Sequence, residues 1–537
     1  VDVGVAELVA DRADDDNLGV LAADREWTWR QVVAEAACRA AWLTASLDPR
    51  LPANVGLLLD NTPDAVFTLF GAALAGAAVV GLNSTRRGAE LQRDVDHTDC
   101  QFVLSDIAHA ELLPATVKVE DEPWSPYAGA PIPHPLPDPA SLYLLIFTSG
   151  STSAPKAVRR SSGRIAASAR LGFSAHDTLY VSMPLIHGNA LFGVLFPGLA
   201  GGARIVLRER FSASAWLDDV RKYGVTFTST VGRALAYVLA TPPTPQDKDH
   251  RLKVVLAPES SPPDAAAFTE RFGVTVITGY GSSEGGITLL PSRRVGALGR
   301  APEGADVAVV DPDTGEEKAV AEFDEHGRLV NAEAAVGELV RRDSLGQFEG
   351  YWRNDEADRD RVHSVAGQPG WFWSGDLAYR DADGVFYFAG RAGDWLRVDS
   401  ENFAAAPIER IIGRHPAITG VAVVGVADPH SGDQVLAVVE TADFDPEGFA
   451  RWLAEQPDLG TKWTPKFVRV TRALPSVALD KVDRKRLRSE GWETTDQVWW
   501  KPARDRGYRL LTGADRDALR AEFVANGRTA LMPERVL

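Results

Sequence analysis

Thr148, Ser149, Ser151 and Thr152 crowd around Gly150 and stand just ahead of Lys156 in the run FTSGSTSAPK, residues 147–156, which follows the apolar stretch 142–146. This composition suits the holding of phosphate. Backbone N–H groups close around an anion only where side chains are small, while hydroxyls add donors and a lysine adds charge. A nucleoside-triphosphatase loop would read GxxxxGK followed by Ser or Thr. Here Gly150 is followed by STSA, then Pro155, Lys156 and Ala157, so the second glycine and the magnesium-binding hydroxyl are both missing. The plain structural alternative is an ordinary polar turn.

The elements around this loop read as α/β. Between about residues 28 and 277, helix-spaced segments such as TWRQVVAEAACRAAWL alternate with apolar runs at 55–59, 142–147, 204–207, 253–256 and 274–277. That pattern predicts sheets covered by helices on both faces. The stretch 65–82, AVFTLFGAALAGAAVVGL, carries no charge over 18 residues and is long enough to be tested as a membrane span. Its alanines and its glycines at 71, 76 and 81 instead predict a buried helix, a break at Gly76 and a buried strand. Seven prolines in residues 121–140 exclude a regular helix or central strand, so that segment reads as a surface connector.

From about 295 to 391 short strands and turns predict a small β-barrel-like subdomain, including a hairpin in DLAYRDADGVFYFAG with its turn at Asp383 and Gly384. After Asp394 the strand-like runs 421–426 and 435–439 and a helical stretch at 449–455 indicate a compact terminal domain. The division expected is a large domain over 1–393 and a small α+β domain over 394–537, with an extension from about residue 500. The basic run KVDRKRLR from Lys481 reads as a solvated helix face.

The 537 residues suffice for several cores, and a formal charge of −17 argues against nucleic acid or an anionic membrane as partner. Cys38 and Cys100, the two cysteines, lack ligand-like spacing, which supports neither a disulfide framework nor structural zinc. The acidic N-terminal residues do not read as a signal peptide. A cytoplasmic location is expected.

Five further motifs follow the loop in order: MPLIHGN (183–189), GYGSSEGG (279–286), GWFWSGD (370–376), GRAGDWLRVDSEN (390–402) and LPSVALDKVDRKRLR (474–488). Together with FTSGSTSAPK they resemble the adenylate-forming superfamily of acyl-CoA synthetases, luciferases and peptide-synthetase adenylation domains. The stretch 61–91 extends the resemblance towards the N-terminus. GDWLRVDSEN and the C-terminal extension look most like the very-long-chain acyl-CoA synthetase or fatty-acid-transport-protein branch.

The resemblance implies an AMP-forming acid-thiol ligase. A carboxylate attacks the α-phosphate of ATP to give an acyl adenylate and pyrophosphate, and the thiol of CoA then displaces AMP. Thr148, Ser149, Gly150, Ser151, Thr152 and Lys156 would hold the β- and γ-phosphates. Tyr280 would lie on adenine, flanked by Gly281 and Ser282, and Ser283 would contact the α-phosphate where a threonine is usual. Glu284 would hold Mg²⁺. Asp376 and Arg391 would take the ribose, and His187 would stand at the mouth of an acyl pocket walled in part by Gly232, Arg233 and Gly279. Lys481 would neutralise the meeting anions during adenylation. The terminal domain would then turn about Asp394, bringing Arg397, Ser400, Glu401 and Asn402 to the pantetheine tunnel.

Several positions depart from the family's pattern. Ser153 stands where glycine is usual, at a cost of about 1–2 kcal/mol if that residue needs φ > 0. Pro258 and Glu259 replace part of a glycine-rich segment beside adenine, and Asp480 precedes Lys481 where glycine is common. Gly393 and Ser400 also differ. Three of these changes touch adenylation, which motivates a second reading: an enzyme that accepts an acyl adenylate from a separate adenylating enzyme and performs only CoA transfer. A third is a non-catalytic adenylate-binding protein. Fatty, aromatic and polycyclic acids all remain open as substrates.

Overall fold

The computed structural model describes residues 3–148, 156–258, 260, 262–292, 294, 296–312, 314–323, 325, 331–343, 348–364, 370–391, 395–398, 401–456, 459–460, 462–478, 481–503 and 507–534. The expected α/β architecture is present. One six-stranded sheet runs Val117–Lys118, Phe102–Ser105, Asn54–Leu58, Ala78–Gly81, Leu142–Thr148 and Lys156–Ser161, parallel except for its last pair. A second sheet starts with a parallel set that includes Leu18–Ala22, Thr178–Val181, Arg204–Leu207, Phe227–Ser229, Val254–Leu256 and Thr275–Gly281.

The helices Trp29–Ser46 and Pro63–Ala75 fill the space between the two sheets. Trp29, Val33, Ala36, Phe67 and Phe70 share one buried cluster with Val55, Leu57 and Leu144 of the first sheet and with Leu179, Val181 and Ile205 of the second. The other face of the second sheet is covered by Ala213–Lys222, Gly232–Leu239 and Pro262–Phe272 through Trp216, Val238, Phe268 and Phe272. The first of the two central helices is started by a capping box in which Thr28 and Gln31 satisfy each other's backbone N–H. The second starts on Thr62 with Pro63 in its first turn and ends at Gly76, whose φ of 70° is the left-handed conformation that glycine adopts freely. The charge-free stretch is therefore a buried helix, a glycine stop and the strand Ala78–Gly81. Among the described residues no helix is long and apolar enough to cross a membrane.

The β-rich region is not a detached sheet. Thr275–Gly281 pairs with Thr288–Ser292, and hydrogen-bonded strands continue through Ala297–Arg300, Val385–Arg391, Trp371–Arg380 and Gly337–Arg341 to Val307–Val310. The predicted hairpin forms between Trp371–Arg380 and Val385–Arg391, with Gly384 N–H bonded to the Asp381 carbonyl. The proline-rich connector is largely exposed, but Trp124 within it is buried against Trp42 and the Arg39 guanidinium, so it also seals the core.

The terminal five-stranded sheet orders Gly420–Ala427, Asp433–Glu440, Phe467–Thr471, Gln497–Trp500 and Arg509–Leu510. The basic run is more engaged than a solvated face: Arg484 donates to Glu409 at 2.6 Å and to the Val423 carbonyl at 3.0 Å. Asp428, only 1% exposed, ties this domain to the rest. Its carboxylate accepts from the His430 and Ser431 N–H groups and from Gln434 Nε2, and it faces Lys466 at 3.8 Å and Arg233 of helix Gly232–Leu239 at 3.1 Å. Burial pushes this carboxyl up, but the charges of Arg233 and Lys466 and its hydrogen bonds outweigh that and hold its pKa below the usual value.

Removing the carboxylate would take a counter-charge from two cations and an acceptor from three donors. Asp428→Ala is expected to lower the unfolding free energy by about 3–5 kcal/mol. The check is a urea titration, in which an unchanged midpoint would mean that the interface does not depend on this charge.

Candidate functional site

Lys156 enters the site because the hairpin Leu142–Thr148 and Lys156–Ser161 places its backbone opposite Thr148, at the mouth of the hydroxyl-rich loop. Ser149, Gly150, Ser151 and Thr152 lie outside the described residues, as does Ser153, and of Thr148 only the strand backbone is described. Lys156 is buried at 4% exposure, with its Nζ 5.8 Å from the centre of the Tyr351 ring. Burial pushes its pKa down and the neighbouring Arg361 charge adds to that, against the attraction of Asp360, Glu284 and Glu356.

Tyr351 links this lysine to the acid. Its hydroxyl donates to Glu284 Oε1 at 2.9 Å and accepts from Arg361 Nε at 3.3 Å. Glu284 is 7% exposed, and Arg361 Nη2 lies 3.9 Å from the same carboxylate oxygen. Arg361 Nη1 also donates to the carbonyls of Ser374 at 2.6 Å and Trp373 at 3.2 Å, so one guanidinium fixes both Glu284 and the strand that carries Asp376. Burial raises the Tyr351 pKa, and the Glu284 charge raises it further, so the phenol stays a donor.

Asp376 is positioned through both its backbone and its side chain. Its N–H donates to Ser374 Oγ at 3.0 Å, its backbone pairs with Arg391 across the hairpin, and its Oδ2 accepts from the Tyr280 hydroxyl at 2.6 Å. The expected adenine platform and ribose carboxylate therefore meet directly. Gly281, Ser282 and Ser283 continue from the Tyr280 strand into a turn closed by Gly285 N–H on the Ser282 carbonyl. Ser282 Oγ is buried without a hydrogen-bond partner.

A second group lies along the predicted acyl side. His187 precedes a short helix, Gly188–Ala190, and its carbonyl accepts from Leu191 N–H at 3.1 Å. Asn189 Nδ2 donates to the Thr230 carbonyl at 2.9 Å, and Gly232 N–H donates to the Pro258 carbonyl at 3.2 Å, which stitches 187–189, 230–232 and 258 together. Gly279 faces Leu256 and Pro291. The Arg233 side chain is committed to Tyr237 and to Asp428.

In the terminal domain Arg397 pairs with Asn402 and Val398 with Glu401 in a two-stranded hairpin, and Lys481 pairs with Ala478. The side chains of Arg397, Glu401, Asn402, Lys481 and Arg391 are not among those described. Asp394, Ser400, Glu259, Gly393 and Asp480 lie outside the described residues.

Three residues at the site were not singled out from the sequence. Asn61, at the start of the helix after the first long strand, donates to the Met183 and Arg208 carbonyls and accepts from Leu185 N–H, thereby holding the segment before His187. Tyr351 and Arg361 are the others, and the GYW at 350–352 was the available hint. Elsewhere Asp60, Asp106 and His109 approach one another, but Arg210 pairs with Asp60 at 2.8 Å and His109 with Asp106 at 2.6 Å, making an ion-pair network.

A lysine, a buried glutamate, a tyrosine and an aspartate gathered on a two-sheet α/β domain, followed by a small α+β domain, point to an adenylate-forming enzyme. The profile of the "AMP-binding enzyme" family matches residues 8–352, and that of the "AMP-binding enzyme C-terminal domain" matches 407–481. The chain belongs to this family and is an acyl-CoA synthetase, an AMP-forming ligase that works with ATP and CoA.

It is 45% identical to a steroid-22-oyl-CoA synthetase of Rhodococcus jostii (strain RHA1) over 98% of each chain. It is 42% identical to a medium/long-chain-fatty-acid–CoA ligase, FadD17, of Mycobacterium tuberculosis (strain ATCC 25618 / H37Rv), covering 92% of this chain and 98% of that one. Among solved structures, o-succinylbenzoate CoA synthetase from Bacillus subtilis shares the fold with a TM-score of 0.75 at 23% identity, covering 89% of this chain and 97% of that one.

The Tyr280 to Asp376 bond predicts a measurable coupling. Tyr280→Phe leaves the ring and removes the donor, and AMP affinity is expected to fall about tenfold, equivalent to ~1.4 kcal/mol. Isothermal titration with AMP tests this, and unchanged affinity would show that Asp376 is held well enough by its backbone contacts alone.

Proposed function

We propose that this synthetase activates a carboxylic acid on a polycyclic, steroid-like skeleton and that it acts in the cytoplasm. The observation that carries the acid class is the 45% identity, over 98% of both chains, to a steroid-22-oyl-CoA synthetase. The 42% identity to a medium/long-chain-fatty-acid–CoA ligase supports a second reading, a straight-chain acid.

The residue roles follow from what the reaction must overcome. A carboxylate has to approach a polyphosphate, so like charges must be screened before the oxygen reaches the α-phosphorus. Lys156 and the hydroxyls of 148–152 take the β- and γ-phosphates, Ser283 the α-phosphate, and Asp376 with Arg391 the ribose. Tyr280 lies on adenine while orienting Asp376 through its hydroxyl. Gly279, Gly281 and Ser282 carry the backbone past the nucleotide.

Glu284 is the residue that would hold Mg²⁺. One buried carboxylate with an oxygen committed to Tyr351 suits a hard cation that takes its other ligands from phosphate and water. When bound, that ion offsets negative charge on the phosphates. His187 and Gly232 border the acid, and Lys481 supplies the cation that offsets the negative charge on the oxygens of the five-coordinate α-phosphorus as pyrophosphate leaves. In the second half-reaction the CoA thiolate attacks the acyl carbon and AMP departs, with the terminal domain turned about Asp394 so that Arg397, Ser400, Glu401 and Asn402 border the pantetheine.

A panel of acids with ATP, Mg²⁺ and CoA, followed by acyl-CoA formation, tests the substrate class. A steroid-22-oic acid is expected to give the highest kcat/KM, and decanoic acid exceeding it would favour the straight-chain reading. Lys481→Ala is expected to lower acid-dependent pyrophosphate release by about 10²–10³-fold while leaving CoA transfer from a supplied acyl adenylate nearly intact. Absence of acid-dependent pyrophosphate release from the unmodified chain would instead favour an enzyme confined to CoA transfer.

A further inference from the structure

Three arginines are buried among the described residues, Arg39, Arg160 and Arg469. Arg39 pairs with Glu35 and Asp64, and Arg469 pairs with Glu490 and Asp496. Arg160, at 8% exposure, has neither an ion pair nor a side-chain hydrogen bond among the described residues, and its Nε is buried without a partner. An unpaired guanidinium away from water is costly, and the molecule's other buried arginines are neutralised.

Its surroundings point to the reaction chamber. The guanidinium lies 5.3 Å from the centre of the Phe192 ring, and Phe192 packs against the Cα face of Gly188, the residue after His187. Gly285, beside Glu284, also borders it. A Cβ at that position would overlap the guanidinium, and Gly285 also has a φ of 70°. Two carboxylates are near enough to act on it electrostatically, and both are engaged elsewhere. Glu349 accepts from Ser161 N–H at 2.8 Å and faces Arg164 at 3.6 Å, while Glu284 accepts from Tyr351. Arg164 is the nearby like charge.

Strand alternation puts Lys156, Val158 and Arg160 on one face of Lys156–Ser161, and the Cα atoms of the two cations are about 13 Å apart. Lys156 stands at the phosphate loop. Arg160 lies four residues further along the strand, beside Phe192 of the segment that follows His187. A planar guanidinium matches a carboxylate with two parallel hydrogen bonds.

We propose that Arg160 is a binding residue for the carboxylate of the incoming acid, supplying the cation that holds this anion beside the nucleotide before adenylation. The assignment rests on the adenylating function proposed above. Because the carboxylate loses its charge when the acyl phosphate forms, Arg160 acts on acid binding and contributes little to CoA transfer.

The test uses the full chain with Arg160→Met and Arg160→Lys. Acetate, benzoate, decanoate and a steroid-22-oic acid are screened first, and the acid that the unmodified chain turns over best is carried forward. A panel without steroid turnover overturns the proposed acid class and leaves the Arg160 comparison intact. Arg160→Met is expected to raise the KM for the acid at least tenfold with kcat within threefold. The KM for ATP, inhibition by pyrophosphate and CoA transfer from a synthetic acyl adenylate should stay within twofold, and Arg160→Lys should recover part of the acid affinity.

A matching rise in the KM for ATP, or weakened pyrophosphate inhibition, would assign the guanidinium to phosphate and overturn the proposal. So would an unchanged KM for the acid together with a lower Tm, the signature of a purely structural arginine.

Discussion

Glu284 sets the constraint on which the site depends: a carboxylate kept out of water has to be held by groups that do not neutralise it completely. A direct bidentate arginine would occupy it with two charge-assisted hydrogen bonds. Instead Tyr351 donates one phenolic hydrogen bond, and Arg361 stands back at 3.9 Å while donating to Tyr351 and to two carbonyls of the neighbouring strand. The same guanidinium that balances Glu284 thereby fixes the register of Ser374 and Asp376. Electrostatics and backbone geometry at this site are one network, and partial satisfaction leaves Glu284 able to accept a further ligand.

The sheets explain how residues distant in sequence reach that network. The six-stranded sheet ends in an antiparallel hairpin that turns Lys156 back alongside Leu142–Thr148. The longer sheet changes from parallel to antiparallel pairing where Thr275–Gly281 meets Thr288–Ser292, beside the Tyr280 to Glu284 turn. That change of direction lets a continuous ladder carry Tyr280 and Asp376 to opposite sides of one hydrogen bond. The β-rich region is thus an extension of the second sheet, which is why its strands could be recognised individually in the sequence while their continuity could not.

What was legible in the sequence was local. The charge-free stretch resolved into helix, glycine stop and strand because burial, a left-handed glycine and β-branched residues each act within a few positions. The motif residues Lys156, Tyr280, Glu284 and Asp376 were visible because their chemistry is confined to short runs. Asn61, Arg361 and Asp428 were not, since each is defined by a partner more than a dozen positions away: Asn61 by Met183, Arg361 by Glu284 and Asp428 by Arg233. Arg233 makes the point most directly. Its sequence neighbourhood suggested a pocket wall, whereas its guanidinium is the partner of a buried carboxylate in the terminal domain.

Arg233 and Arg160 differ in what neutralises them. Arg233 opens the helix Gly232–Leu239, beside the Gly232 to Pro258 hydrogen bond, and its charge is taken up by Asp428. Pro258 itself fits this arrangement: the proline lacks an N–H to give, but its carbonyl is the group used, as acceptor for Gly232. The substitution therefore keeps the contact that ties the helix start to the turn after strand Val254–Leu256. Arg160 lies beside Phe192 and Gly285, with its charge left for something that arrives. A chamber in which one cation is spent on joining domains and another is withheld has separated the charge that stabilises the protein from the charge that receives a substrate.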